Sequence, residues 1–422
     1  MKFFFPDSQD LVDPSFDFET EERSPSRTRH RDDEYAHEVF ASPPFDGLLV
    51  SKGVVDGFGD TGSRYSLAQR HRLLRDGAPP FFRIPSDSPF PIMGDCGAFT
   101  YVREKTPPYT VEEVLQFYAA CRFDFGISVD HVILAYDERW DHLLPGIDLA
   151  ADSRFRQEVT LDLAEQFLQA HREARLPFEP LGVAQGWSPR SYAESVRRLQ
   201  AMGYTYIAIG GLVPLKTKDI LACLQAINAI RRPETRLHLL GVTRTDQLES
   251  FTAYGVVSFD STSPLRQAFK DDRDNYYTGD RTYTAIRIPQ VEGNPRLQRR
   301  IRAGQLSQDA ARLLEQECLA TFRAFDRGTT SIDRLLEVVH HYEEFYDPGV
   351  DRRTVYRQTL EAEPWRHCPC EVCRALGYHV ILFRGAERNR RRGFHNLWVF
   401  YRRLHRELGL EGGVLSRSTA AW

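Results

Sequence analysis

From just past residue 40 to about Phe269 the chain repeats one pattern, a short apolar or β-branched run followed by an amphipathic stretch of helical period. The runs are Gly47–Ser51, Phe90–Met93, His131–Tyr136, Pro180–Ala184, Tyr204–Ile209, Leu237–Leu240 and Val256–Phe259, with Phe81–Ile84 as an eighth. Between them, helical patterns cover Thr110–Cys121, Phe155–Glu173, Pro189–Met202, Thr217–Ile230 and Thr245–Tyr254, and Thr110, ahead of Glu112 and Glu113, is placed to cap the first. Strands alternating with helices at this spacing form parallel βα units. Seven or eight units predict an α/β fold of the (β/α)8 TIM barrel type over residues 41–270, in preference to a doubly wound sheet.

The flanks read differently. Residues 1–40 are acidic and then mixed, which predicts an N-terminal arm. The opening aromatics of Met1–Pro6 are followed by Asp7, Ser8, Gln9 and Asp10, so they lack the apolar core of a secretory signal. No run reaches the ~18 apolar residues of a membrane span. The expectation is a cytoplasmic protein with no membrane partner. Residues 271–365 read as a mostly helical insertion, with two helices interrupted near Gly328 and a further amphipathic piece over Asp347–Glu363. Residues 366–422 hold a cysteine cluster and a basic helix. With 41% hydrophobic and 27% charged residues, a wholly disordered chain and a polytopic membrane protein are excluded. The 55 basic and 59 acidic residues nearly balance, so a nucleic acid must be met by a local patch.

Cys368, Cys370 and Cys373 supply three thiolates within six residues, too close for an extracellular disulfide framework and suited to one tetrahedral ion. The fourth ligand lies downstream, at His379 or His395. His395 is preferred because it falls in a helical stretch, whereas His379 sits in an apolar run. Three Cys and one His leave no open position, which makes the site a structural Zn2+ centre. Beside it stand Arg384, Arg388, Arg390, Arg391, Arg392, Arg402, Arg403 and Arg406, with Phe394, Trp398, Phe400 and Tyr401 as a docking face that leaves the arginines to meet phosphates. Gly57, Gly59 and Gly62 match a dinucleotide-binding glycine pattern, but Asp76, at the distance of the ribose-binding acid, precedes Gly77-Ala-Pro-Pro80 and ends no strand, so the pattern reads as an ordinary glycine loop.

Polar residues recur at the C-terminal ends of the predicted strands: Asp95, Asp137, Gln185, Gly210 with Gly211, and Asp260. In a (β/α)8 barrel those ends converge on one mouth. Convergent carboxylates without a catalytic metal set suit covalent and acid–base work at carbon, such as exchange at an anomeric centre.

These segments resemble the tRNA-guanine transglycosylase superfamily. Gly94-Asp95-Cys96-Gly97-Ala98-Phe99 is similar to its Asp-Ser-Gly-Gly-Phe segment, Tyr136-Asp137-Glu138 to Phe-Asp-Glu, Val183-Ala184-Gln185-Gly186 to Val-Gln-Gly, and Ile209-Gly210-Gly211-Leu212 to Gly-Gly-Leu. Leu240-Gly241-Val242 resembles Met-Gly-Val, Phe259-Asp260 resembles Phe-Asp, and the three cysteines with His395-Asn396-Leu397 resemble the zinc signature. The resemblance implies a pentosyltransferase in which Asp260 is the nucleophile at C1′ and Asp95 the acid–base group. Asp137, Gln185, Gly210 and Gly211 would read the base, and Phe99 and Leu240 would sandwich it. The 108 positions from Asp260 to Cys368, and a blurred Pro-Thr-Arg segment in Ser261–Arg266, look most like the bacterial DpdA branch. That branch implies exchange of a flipped-out guanine in double-stranded DNA for a 7-deazaguanine, 7-cyano-7-deazaguanine, with accessory proteins of a DNA-modification system. The alternatives are a tRNA-guanine transglycosylase, a catalytically silent nucleic-acid-binding subunit, which would have lost its carboxylates, and an unrelated glycosidase, which would need no zinc.

Overall fold

The computed structural model describes residues 1–58, 62–142, 151–270 and 273–410. Eight parallel strands close into a barrel: β1 (Lys2–Pro6), β2 (Gly47–Ser51), β3 (Ile92–Asp95), β4 (Phe125–Ile127), β5 (Glu179–Ala184), β6 (Tyr206–Ile209), β7 (Arg236–Leu239) and β8 (Val256–Asp260). β8 returns to β1 in a register that sets Phe4 beside Asp260. Phe4, Leu49, Met93, Phe125, Leu181 and Tyr206, from six different strands, meet in one buried cluster that fills the barrel.

The expected barrel is present, but two of its strands lie elsewhere than expected. The opening aromatics belong to no arm. A parallel strand covered on both faces is apolar at every position, and Phe3, Phe4 and Phe5 are all buried in β1. The fourth strand is Phe125–Ile127, and His131–Tyr136 forms no strand. Val132 of that run packs with Cys96, Ala98 and Tyr101, and Ile133 packs with Trp187, so these two are apolar because they pack within a loop, while Leu134 is exposed. Phe81–Ile84 is likewise no strand, and Ala78–Phe81 is a short helix turn.

Helices follow the strands as the 3.6 period required. The first, α1 (Val111–Cys121), is capped by Thr110, whose side chain accepts from the Glu113 N–H while Glu113 reaches back to the Thr110 N–H. After it come α2 (Ala151–Glu173), α3 (Pro189–Met202), α4 (Thr217–Asn228) and α5 (Leu248–Ala253). Of the glycine pattern, Gly57 (φ +77) ends the short helix Lys52–Asp56 and Gly59 lies outside the described residues.

A second compact unit gathers Asp10–Pro44 with Ser263–Arg403. Its helices include α6 (Gln308–Asp326), α7 (Ile332–Tyr346), α8 (Glu371–Leu376) and α9 (Gly385–Glu407), and Gly328 (φ +71) breaks the chain between α6 and α7. The residues from Asp10 onward, expected as part of a peripheral arm, lie against α9. That placement overturns the expectation for four of the eight arginines. Arg384, Arg388, Arg391 and Arg392 are buried. Arg384 bonds Glu21 at 2.6 Å and Glu315 at 2.5 Å, and Arg388 also pairs with Glu21. Arg391 donates to the Asp13 carbonyl at 2.8 Å. Arg392 donates to the carbonyls of Val380, Leu382 and Ala268. Burial works to raise the Glu21 carboxyl, yet the two guanidiniums hold it down to about 2. These four arginines are consumed inside the fold and are not available to phosphates.

Candidate active site

Asp260 ends β8, and its Oδ1 takes two donors. The Gly241 N–H and His238 Nε2 each lie 3.1 Å away. Oδ2 has no hydrogen-bond partner among the described residues, so the carboxylate is held by one oxygen and presents the other. That arrangement suits a nucleophile.

Asp95 ends β3 in register with Ser51 of β2, and its Oδ2 accepts from the Gly97 N–H at 2.9 Å. Burial, and then the like charges of Asp130 and Asp260, push its carboxyl up to about 7. A carboxyl in this range is divided between acid and base near neutral pH, which is what a group that first gives and then takes a proton requires.

Asp130 was missed in the sequence. It lies three residues beyond β4, where the misplaced fourth strand hid it. Its Oδ2 accepts from Gln185 Nε2 at 2.6 Å and its Oδ1 from the Cys96 thiol at 3.1 Å, with the Tyr101 hydroxyl 3.1 Å from that sulfur. Burial raises the Asp130 carboxyl to about 6, against the pull of those hydrogen bonds. Cys96, standing where the resemblance expects serine, is thus a donor to this acid. With Asp130 on its nitrogen and the Ile133 N–H on its oxygen at 3.2 Å, the buried Gln185 amide has one orientation.

The double glycine makes room for that amide. A Cβ on Gly210 would stand 2.2 Å from Gln185 Nε2, and one on Gly211 (φ +73) would stand 2.6 Å from the Ile133 carbonyl oxygen. Leu240 follows β7 and packs against the barrel core, while Phe99, in the turn after Asp95, is 52% exposed. Asp137 stands apart from this buried group. Its backbone N–H reaches the Trp187 carbonyl at 2.9 Å, which brings it close to Gln185 in the chain, but its carboxylate is clasped by Arg139 at 2.6 Å. The sequence signals for the overlooked groups were a polar residue inside an apolar strand, His238 in Leu237–Leu239, and Ser258 two positions before Asp260 on the same face of β8.

In the second unit, Cys368, Cys370, Cys373 and His395 bring one ligand atom each to within 4.8 Å of one another. His395 Nδ1 is 3.6, 3.4 and 3.3 Å from the three sulfurs in turn, close to the ~3.6 Å N···S edge of a tetrahedral zinc site. His395 Nε2 faces the Tyr277 carbonyl at 2.8 Å, so its proton is directed there and the Nδ1 lone pair is directed at the sulfurs. Cys370 caps α8, its sulfur accepting from the Cys373 N–H. The donor set fits a metal ion. His379 does not join it and instead faces Glu19 at 3.1 Å.

No protein-family model matches the chain. It is 48% identical over 414 residues to the DNA-guanine transglycosylase of Salmonella montevideo, covering 97% of this chain and 98% of that protein. A shorter match, 30% identical over 131 residues, joins it to the queuine tRNA-ribosyltransferase of Neisseria meningitidis serogroup A, covering 30% of this chain and 35% of that protein. Among the described residues no helix is long and apolar enough to cross a membrane. A closed βα barrel with carboxylates at its strand ends, a Cys3His metal-binding group and a match along nearly the whole length lead to one conclusion: the chain belongs to the DNA-guanine transglycosylase family and is a pentosyltransferase of the guanine transglycosylase type.

Proposed function

We propose that this chain exchanges guanine in double-stranded DNA for 7-cyano-7-deazaguanine through a covalent glycosyl–Asp260 intermediate, in the cytoplasm. The observation that carries the reading is the pairing of Asp260, fixed by one carboxylate oxygen, with the raised carboxyl of Asp95. Guanine leaves the stack, at a cost of a few kcal/mol, and enters the mouth. Asp260 Oδ2 forms a bond to C1′ as the C1′–N9 bond breaks, its electron pair passing to the base, which takes the proton of Asp95. The incoming base then gives its N9 proton to the Asp95 carboxylate, N9 attacks C1′, and the C1′–O pair returns to Asp260. Gln185, oriented by Asp130, and the backbone at Gly210 and Gly211 read the base edge, with Asp137 at the rim once Arg139 releases it. Phe99 and Leu240 cover the ring faces. The metal held by Cys368, Cys370, Cys373 and His395 is Zn2+, and its role is to hold the second unit together. DNA is favoured over tRNA by the full-length match to a DNA enzyme, against a match to the tRNA enzyme over 30% of the chain.

The test is incubation with radiolabelled guanine and either guanine-containing duplex DNA or tRNA. Label entering DNA in the wild type but not in Asp260→Asn is expected. Label entering tRNA alone moves the protein to the tRNA branch.

A further inference from the structure

Behind Asp260 runs a buried chain of hydrogen bonds that takes no direct part in the exchange reaction. His238 on β7 faces Asp260 Oδ1 with Nε2 at 3.1 Å and Ser258 Oγ of β8 with Nδ1 at 2.7 Å. Ser258 Oγ lies 2.5 Å from the hydroxyl of Tyr206 on β6. All three side chains are buried, so none of these polar groups has water to fall back on. The β7–β8 register shifts between Leu237 and His238, the kind of irregularity that re-aims a side chain.

With His238 neutral, hydrogen-bond bookkeeping fixes the direction of the chain. A carboxylate only accepts, so Nε2 carries the proton toward Asp260. In the neutral ring Nδ1 then accepts, so the Ser258 hydroxyl donates to it. Ser258 has one proton to give, so the Tyr206 hydroxyl donates to Ser258. Three strands of the barrel thus fix one tautomer of His238 and aim one N–H at the oxygen of Asp260 that does not attack.

We propose that Tyr206, Ser258 and His238 form a positioning relay that keeps Asp260 a good leaving group and so keeps the covalent intermediate short-lived. The inference rests on Asp260 being the nucleophile. In the free carboxylate Oδ1 is charged and accepts strongly, whereas in the glycosyl ester it is a neutral carbonyl oxygen and accepts less strongly. The His238 N–H therefore stabilises the carboxylate more than the ester. Its presence speeds return of the C1′–O pair to Asp260 when the incoming base attacks. Its removal leaves the Gly241 N–H as the remaining donor and shifts the balance toward the ester.

The experiment follows the wild-type chain, His238→Phe, His238→Gln, Tyr206→Phe and Asp260→Asn on guanine-containing duplex DNA. Exchange of radiolabelled guanine gives kcat and KM, and a denaturing gel after a chase with excess free guanine gives the lifetime of the protein–DNA adduct. His238→Phe is expected to lower kcat roughly 10- to 100-fold with KM little changed, and to lengthen the adduct lifetime by a similar factor. His238→Gln restores an N–H near the Nε2 position and is expected to recover part of both, and Tyr206→Phe to show a smaller change in the same direction. A His238→Phe protein with wild-type kcat and adduct lifetime overturns the relay, as does a loss of kcat accompanied by less adduct. If His238→Phe does not fold, His238→Gln and Tyr206→Phe decide the matter by adduct lifetime. An active wild type whose adduct survives Asp260→Asn removes the nucleophile assignment itself, and the relay with it.

Discussion

Asp130→Asn removes one negative charge from beside Asp95 and leaves a side chain of the same size. The Asp95 carboxyl stands at about 7 against its ordinary 3.8, with burial the largest cause, the Asp130 charge the second and the Asp260 charge the third. Asp130 therefore supplies part of the rise, after burial, and its removal is expected to lower the Asp95 pKa. Departure of guanine needs the acid form of Asp95, so the departure step is fast below its pKa and slows as pH rises through it. In the variant that inflection is expected at lower pH. At pH 8 the acid fraction falls, and adduct formation slows, about tenfold for each unit of downward shift. At pH 5 both proteins are protonated and their rates converge. The assay is single-turnover adduct formation on duplex DNA, quenched in denaturant and read on a gel, from pH 5 to pH 9 at saturating protein. An inflection that stays at the wild-type position refutes the electrostatic coupling. A rate depressed equally at every pH places Asp130 in contact with the base and not in control of Asp95.

The same raised pKa has a consequence for stability. The folded pKa of Asp95 lies above the unfolded one, so the favourable protonated state is fully present below pH ~4 and is lost as pH rises through about 7. Asp95→Asn is expected to be more resistant to urea than the wild type at pH 8, by up to a few kcal/mol, with the difference shrinking toward pH 4 and with exchange abolished. The wild-type protein is expected to carry one equivalent of zinc, read by mass spectrometry of the metal, and Cys370→Ser to lose it with a lowered thermal midpoint. Retention of the metal there would show that Cys370 is no ligand. Phe99→Ala, at a position 52% exposed, is expected to leave the thermal midpoint within a degree or two while weakening capture of the incoming base by ~1–3 kcal/mol. A KM for free base equal to the wild type removes Phe99 from the pocket.

The barrel was legible because its middle and late strands alternate with helices whose periods are clean, as at Pro180–Ala184 and Pro189–Met202. Two strands escaped for opposite reasons. β1 is three phenylalanines followed at once by acidic residues, and nothing local distinguishes a strand that pairs with β8, over 250 positions away, from a sticky terminus. β4 is only Phe-Gly-Ile, while the longer apolar run after it packs as a loop. That exchange hid Asp130 and made Asp137, which pairs with Arg139, look like the end of a strand. The Cys3His metal-binding group was readable from spacing because a tetrahedral ion imposes it. Arg384 and Arg388 were misread because the charges that neutralise them lie far off in sequence, Glu21 and Glu315 standing 363 and 69 positions from Arg384. Local composition carries no sign of partners that distant.

The most direct measurement is the identity of the trapped covalent species. Wild-type protein is mixed with guanine-containing duplex DNA, denatured without added base, digested, and analysed by mass spectrometry for the peptide that carries the sugar. The expected result is a DNA strand joined through an abasic deoxyribose to the peptide containing Asp260, formed on DNA and absent with tRNA and with Asp260→Asn. An adduct on another residue, or one formed on tRNA and not on DNA, contradicts it.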